Sequence, residues 1–275
     1  MPELPEVKVV CNALTQKVLN KEIQSLNIIK PKLFKEYDSS VFANTLKNKR
    51  ILKITNKAKY IIFELSDEII LISHLRMEGK YRYLSSQTSE IPRHLMAYFI
   101  FSDQTILQYL DSRMFGTFYL RDKRDYLNKL PLSKIAPEVD PLFAKQVFDK
   151  IKKSNTAIKT KLLDQTIISG FGNIYIDEAL FASKINPLTP CANLTENDLF
   201  QILSAGEQIM NESFKKGGTT LFSYESLNNQ IGNYQNFLKV HSDKLKFCRT
   251  CNTKILKIKV NGRGTYFCPT CQKER

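Results

Sequence analysis

The chain has 275 residues, 43% of them hydrophobic and 11% aromatic, which suits a folded protein with a sizeable core and excludes a disordered acidic or low-complexity chain. Lys and Arg number 41 against 27 Asp and Glu, a formal charge of +14, and residues 239–275 alone hold ten cations against Asp243 and Glu274. Such a surface attracts polyanions by counterion release, nucleic acid first and an anionic membrane second. No apolar run approaches the roughly 20 residues of a membrane span. The start, MPELPEVKVV, lacks the basic and then apolar order of a signal peptide. The expectation is a cytoplasmic protein, in which six cysteines serve as thiols or metal ligands and not as disulfides.

In chain order, Val7, Val10, Cys11, Leu14 and Val18 recur at helical spacing and predict an amphipathic helix over about 5–19. From 22 to 120 the pattern changes to short β-rich runs, at 23–29, 51–55, 60–65, 69–73, 81–84, 96–101, 105–110 and 117–120. Polar pairs such as Ser66–Asp67 and Ser102–Asp103 separate them, which predicts an antiparallel sandwich or barrel. Pro131, Pro137 and Pro141 punctuate a linker. Helices are expected over 142–152, 156–164, 173–183 and 196–215, the last opened by a capping-box pair, Thr195 and Asp198, and closed by Gly217–Gly218. Residues 219–240 have no clear period and read as a connector or a binding loop. The domain division drawn from these shifts is 1–131, a linker at 132–141, 142–240, and a cysteine unit at 241–275.

Cys248-x-x-Cys251 and Cys268-x-x-Cys271 are separated by 16 residues. Four thiolates in two such pairs can close a tetrahedral Zn²⁺ shell with no open position, so one structural zinc is expected. About 30 residues cannot build a core alone, and the metal would supply the missing folding energy. The tip of this unit carries Lys254, Lys257, Lys259, Asn261, Gly262, Arg263 and Gly264. Arg263 between two glycines on a hairpin turn suits a phosphate contact; an ordinary solvated turn, or a protein-binding ribbon, stays open. Cys11 and Cys191 match no ligand spacing.

At the amino terminus, Met1 before Pro2 is a context in which the initiator is normally removed, leaving a secondary amine. Such an amine condenses with a sugar aldehyde to an iminium, an electron sink that drives elimination of flanking phosphates. A helix beginning near Pro5 would keep the amine unprotonated. Glu3 and Glu6 are both placed to move protons. The same residues also read as a plain helix start.

Read together, MPELPEV at 1–7, NKAKY at 56–60, HLRMEG at 74–79, DSRMFG at 111–116, TAIK at 156–159, SGFGNIYIDEALF at 169–181, GGTT at 217–220 and NGRGTYFCPTC at 261–271 follow one another in order. The sequence resembles the formamidopyrimidine-DNA glycosylase (MutM) family over essentially its whole length. The resemblance implies an α+β multidomain fold: an antiparallel β-sandwich flanked by helices, a helix–two-turn–helix domain, and a zinc finger. It implies a base-excision-repair enzyme that removes oxidised purines (8-oxoguanine, formamidopyrimidines) from double-stranded DNA and cleaves the abasic strand by β,δ-elimination, as a monomer on the bacterial nucleoid. By position, Pro2 would be the Schiff-base nucleophile, Glu3 the general acid/base and Lys59 the proton donor in elimination. Asn173 and Arg263 would hold phosphates of the extruded nucleotide, Lys159 would make a further backbone contact, and 219–236 would be the base-recognition loop.

Extrusion leaves a gap to be filled, and Met77, Arg113 and Phe115 match the family's insertion set: a filler, a hydrogen-bonder for the orphaned cytosine, and an aromatic wedge. Singly, Met77 and Phe115 read as core residues. The PELPE start and the complete set separate this chain from the pyrimidine-directed endonuclease VIII branch. Three positions depart from the family pattern: Lys8 replaces a common acid, Pro92 sits where the family offers a phosphate-contacting His (with Arg93 a substitute cation), and His241-Ser242 replaces a common Tyr-Gly. Competing readings are a non-catalytic damaged-DNA binder, an endonuclease VIII-like enzyme, and a zinc-ribbon module on an unrelated enzyme.

Overall fold

The computed structural model of the protein describes residues 2–86, 91–219 and 232–275. Helix α1 (Leu4–Val18) has Pro5 and Glu6 in its first turn and Lys17 in its last, and the acid and the base each complement the dipole. It buries Leu4, Val7, Val10, Cys11, Leu14 and Val18, the three-and-four spacing of one helical face. The strands are β1 (Ile23–Ile28), β2 (Ile51–Lys57), β3 (Tyr60–Leu65), β4 (Ile69–His74), β5 (Lys80–Leu84), β6 (Leu95–Phe101), β7 (Ile106–Leu110) and β8 (Thr117–Asp122). They form two four-stranded sheets, ordered β1-β6-β7-β5 and β2-β3-β4-β8, with every described pairing antiparallel.

Side chains from both sheets share one apolar core with α1: Leu14, Phe42, Ile61, Ala97, Tyr109 and Phe118 are each 0% exposed. This is the sandwich flanked by helices. Phe42 comes from α2 (Ser39–Leu46), a helix the strand-like reading of 22–120 passes over. Two turns that bury only Phe42 and Leu46 give too short a run for a helical period to emerge between strands.

Beyond Pro141 the chain is helical: α3 (Ala144–Ile151), α4 (Ile158–Leu162), α5 (Asn173–Ala182) and α6 (Glu196–Lys215). The expected capping box is present, with Asp198 N–H donating to Thr195 Oγ1 at 3.2 Å and Thr195 N–H to Asp198 Oδ2 at 2.8 Å. The finger hairpin pairs β9 (Leu256–Val260) with β10 (Arg263–Phe267). Its two connecting residues, Asn261 and Gly262, have φ of 46° and 76°, the combination that a two-residue hairpin turn of right-handed twist requires.

The chain divides into two compact units, Met1–Ser133 with Gly217–Asn233, and Lys134–Lys216 with Tyr234–Arg275. Among the described residues no helix is long and apolar enough to cross a membrane. Within the second unit α6 packs closely enough on Phe171 to demand a glycine: a β-carbon at Gly206 would lie 2.3 Å from the Phe171 ring. Gly206→Ala should therefore lower stability by about 1–3 kcal/mol, the scale of overpacking a filled core. The check is a fall in the thermal midpoint, and an unchanged midpoint would mean Phe171 is free to move.

Candidate active site

The amino-terminal motif is buried. Pro2 lies against the start of α1, and Glu3 (3% exposed) and Glu6 (2% exposed) follow it. Sequence alone leaves both carboxylates available for proton transfer; the structure puts both into the reciprocal capping box that opens α1. Glu6 Oε2 accepts the Glu3 N–H at 2.8 Å, and its Oε1 accepts both the backbone N–H (2.8 Å) and the hydroxyl (3.0 Å) of Thr219. Glu6 is thereby committed to tying the GGTT segment to the helix start. Gly218, at φ 82°, lets that segment close in, since a β-carbon there would lie 3.0 Å from the Glu6 side chain.

Lys59 sits in the tight turn between β2 and β3, 6% exposed. Ala58 takes a left-handed φ of 50°, and the Asn56 side chain donates to the Ala58 carbonyl at 3.2 Å, which holds the turn. Tyr60, which follows, faces His74 in the strand register and meets its ring edge-on, with centroids 4.5 Å apart. His74 is the first residue of the HLRMEG motif. Its Nδ1 accepts the Arg76 N–H at 2.9 Å, and burial, then the charges of Arg76 and Lys59, push its pKa down to about 3. It is a neutral ring beside a buried lysine.

The three insertion candidates lie on loops of the same unit. Met77 is 39% exposed between β4 and β5, Phe115 is 51% exposed between β7 and β8, and the exposed Arg113 guanidinium stacks over the Phe115 ring at 4.8 Å. Exposure at these positions sets aside the core-packing alternative for Met77 and Phe115.

In the second unit, Asn173 opens α5, and its side-chain amide donates to the Gly264 carbonyl at 2.8 Å, beside the exposed Arg263. Lys159 differs from the expectation of a DNA-backbone contact. It is 0% exposed, with its ammonium 2.7 Å from Asp177 Oδ1, 2.8 Å from Thr265 Oγ1 and 3.2 Å from the Gly264 carbonyl. A buried ammonium has to be matched by a carboxylate, and nothing in the TAIK motif announces that Asp177 lies opposite. Asp177 Oδ2 also meets His241 Nδ1 at 2.7 Å and accepts the Tyr266 N–H at 3.0 Å. The adjacent Glu178 accepts the N–H groups of Lys239, Val240 and His241 at 2.8–2.9 Å, though burial outweighs these bonds and raises its pKa. The departure at His241 is thus a buried partner for Asp177. The sequence signal for this pair of acids is their place in a helix whose other residues after Asn173 are apolar or aromatic.

The four finger cysteines place their sulfurs within 4.8 Å of one another, with Cys248 and Cys271 3.8 Å apart and Cys251 and Cys268 3.4 Å apart. A tetrahedron of sulfurs about 2.3 Å from zinc has edges of about 3.8 Å, so the cluster fits that ion with little adjustment.

Comparison with known proteins bears on all of these elements. Residues 1–118 match the formamidopyrimidine-DNA glycosylase N-terminal domain, 135–224 the H2TH domain of the same enzyme, and 246–273 a zinc finger found in FPG and IleRS. The chain is 49% identical to the formamidopyrimidine-DNA glycosylase of Mycoplasmopsis pulmonis, covering 100% of this chain and 99% of that protein. It is 46% identical to that of Mycoplasma mobile, covering 99% of both. The chain belongs to the formamidopyrimidine-DNA glycosylase family. A Lactococcus lactis family member, solved as a point mutant with Fapy-dG-containing DNA, superposes with a TM-score of 0.92 at 36% identity, covering 99% of this chain and 100% of that one. The Lactococcus lactis protein solved with abasic-site DNA gives 0.90 at 34% identity, with the same coverage.

Like the finger it matches, the C-terminal unit of this glycosylase holds one structural zinc on Cys248, Cys251, Cys268 and Cys271. Of the expected site, the base-recognition loop at 219–236 falls mostly outside the described residues.

His74 carries a prediction. Its folded pKa of about 3 lies below the ordinary 6.5, so the unfolded chain binds its proton first as pH falls. Stability from this group is complete above pH 6.5 and declines toward pH 3, by at most about 1.4 kcal/mol per pH unit. His74→Asn keeps an acceptor for the Arg76 amide and does not titrate. Urea unfolding from pH 7 to 4 should show the wild type losing stability relative to this variant, and parallel curves would count against the assignment.

Proposed function

We propose that the chain excises oxidised purines from duplex DNA and then cleaves the strand at the abasic site, with Pro2 as nucleophile, Glu3 as general acid/base and Lys59 as proton donor. The observation that carries this reading is the buried helix start, where Glu6 is spent on structure and Glu3 adjoins Pro2 in the chain. With Met1 removed, the Pro2 nitrogen becomes a secondary amine at the positive end of α1, which favours its unprotonated form. The amine attacks C1′ of the damaged nucleotide, the base departs with a proton, and Glu3 moves protons during ring opening to the iminium. Loss of a proton from C2′ then expels the 3′ phosphate, a second elimination expels the 5′ phosphate, and Lys59 supplies protons to these steps.

Arg263, at the hairpin tip, and the start of α5 at Asn173 are read as the grip on the phosphates flanking the extruded nucleotide. Met77, Arg113 and Phe115 are read as the residues that enter the gap. A monomer working on the nucleoid, drawn there by the charge of +14, belongs to the same proposal. Relatives solved with Fapy-dG and abasic-site DNA support the substrate class.

The first experiment is borohydride trapping on a duplex with one 8-oxoguanine opposite cytosine, with mass mapping of the adduct. An adduct on an amino-terminal Pro2 is expected. An adduct with oxidised pyrimidines alone would move the chain to the endonuclease VIII side, and binding without any adduct would leave a non-catalytic binder. Glu3→Gln should abolish excision and retain binding; an undiminished excision rate would remove Glu3 from its role. Arg263→Ala should weaken binding to the damaged duplex by about 1–3 kcal/mol and lower the salt slope by about one, as loss of one phosphate contact does.

A further inference from the structure

The two loops that carry Met77 and Arg113–Phe115 meet on a single buried support. Asp111, 1% exposed at the end of β7, accepts three backbone N–H groups of its own loop: Arg113 on Oδ1 at 3.0 Å, and Phe115 and Gly116 on Oδ2 at 2.9 and 2.8 Å. A carboxylate used in this way sets the direction of the Arg113, Phe115 and Gly116 amides, and Met114 takes a left-handed φ of 55° inside the turn. Two residues earlier, Tyr109 is 0% exposed, its ring wedged edge-on between Tyr81 and Phe118 with centroids 5.2 and 4.8 Å away.

The Tyr109 hydroxyl occupies the space that two glycines leave. A β-carbon at Gly79, which ends the Met77 loop, would lie 2.2 Å from that oxygen, and one at Gly116 would lie 1.8 Å from it. Neither glycine has a positive φ, so the requirement is for room and not for backbone freedom. The hydroxyl is buried and makes no hydrogen bond among the described residues, so its place there is steric.

We propose that Asp111 and Tyr109 are positioning residues that hold the two insertion loops as one piece, so that discrimination of the base opposite the lesion depends on a carboxylate and a hydroxyl that never touch DNA. This rests on the reading of Arg113 as the contact to that base. Arg113 reaches the duplex on a long side chain, and its selectivity depends on the backbone that aims it. Asp111 fixes that backbone. Tyr109 links it to the Met77 loop, so a shift in either loop is felt by both.

The test is single-turnover excision of 8-oxoguanine placed opposite cytosine and opposite adenine, for the full-length protein and the variants Asp111→Asn, Tyr109→Phe and Arg113→Ala. Asn at 111 keeps the shape but turns a donor toward amides that need an acceptor. It should lower the cytosine-over-adenine ratio by roughly tenfold, the scale of one lost hydrogen bond to a charged group. Tyr109→Phe removes an oxygen with no hydrogen bond, so the protein should fold with an unchanged thermal midpoint and still lose discrimination in the same direction. That pairing separates positioning from stability. If Asp111→Asn does not fold, Tyr109→Phe decides alone. Variants that fold and keep the wild-type ratio while Arg113→Ala lowers it overturn the positioning proposal. A wild-type ratio in Arg113→Ala overturns the reading of Arg113, and the proposal with it.

Discussion

Several loops of this protein are held by a buried carboxylate that accepts their backbone amides. Glu6 at the start of α1 takes the amide and hydroxyl of Thr219. Asp111 takes three amides of the loop with Arg113 and Phe115. Glu178 takes three successive amides at 239–241, and Asp177 takes the Tyr266 amide of the finger hairpin. An ionised acid cut off from water is costly unless its oxygens are satisfied. Each of these carboxylates therefore admits a narrow set of loop conformations, and the loop inherits that narrowness.

The consequence is a division between side chains that hold and side chains that reach. Glu6, Asp111, Lys159, Asp177 and Glu178 are buried at 0–3% exposure, whereas Met77 and Phe115 stand 39% and 51% exposed. Arg113 and Arg263 are exposed as well. An ordered backbone beneath exposed side chains lowers the entropy that binding costs. Lys159 shows why charge alone is a poor guide to which group reaches. It shares its chemistry with any phosphate-binding lysine, yet its ammonium is enclosed by Asp177, Thr265 and the Gly264 carbonyl.

Local patterns made much of the architecture legible. The eight strands of the sandwich, the capping box at Thr195 and Asp198, and the zinc quartet all announce themselves within a few residues, because hydrophobic period, cap chemistry and ligand spacing act over that range. Helix α2 escaped because its two buried residues, Phe42 and Leu46, span a single turn. The chain's return to the first unit begins at Gly217, where the glycine pair marks a helix end but not a change of unit. Among the candidate site residues, the motif positions Pro2, Glu3, Lys59, Met77, Arg113, Phe115, Asn173 and Arg263 were legible through resemblance, while their supports were not.

By itself the sequence determined the family, the order of sandwich, helices and finger, and the metal ligands, since these depend on residue type at short spacing. Only the tertiary structure tied Glu6 to Thr219, enclosed Lys159, gave His241 its carboxylate partner, and brought Gly79 and Gly116 onto one tyrosine hydroxyl. Those outcomes join residues up to 213 positions apart in the chain. Whether a buried charge is satisfied, or a missing β-carbon is needed, is settled by what arrives from elsewhere in the chain.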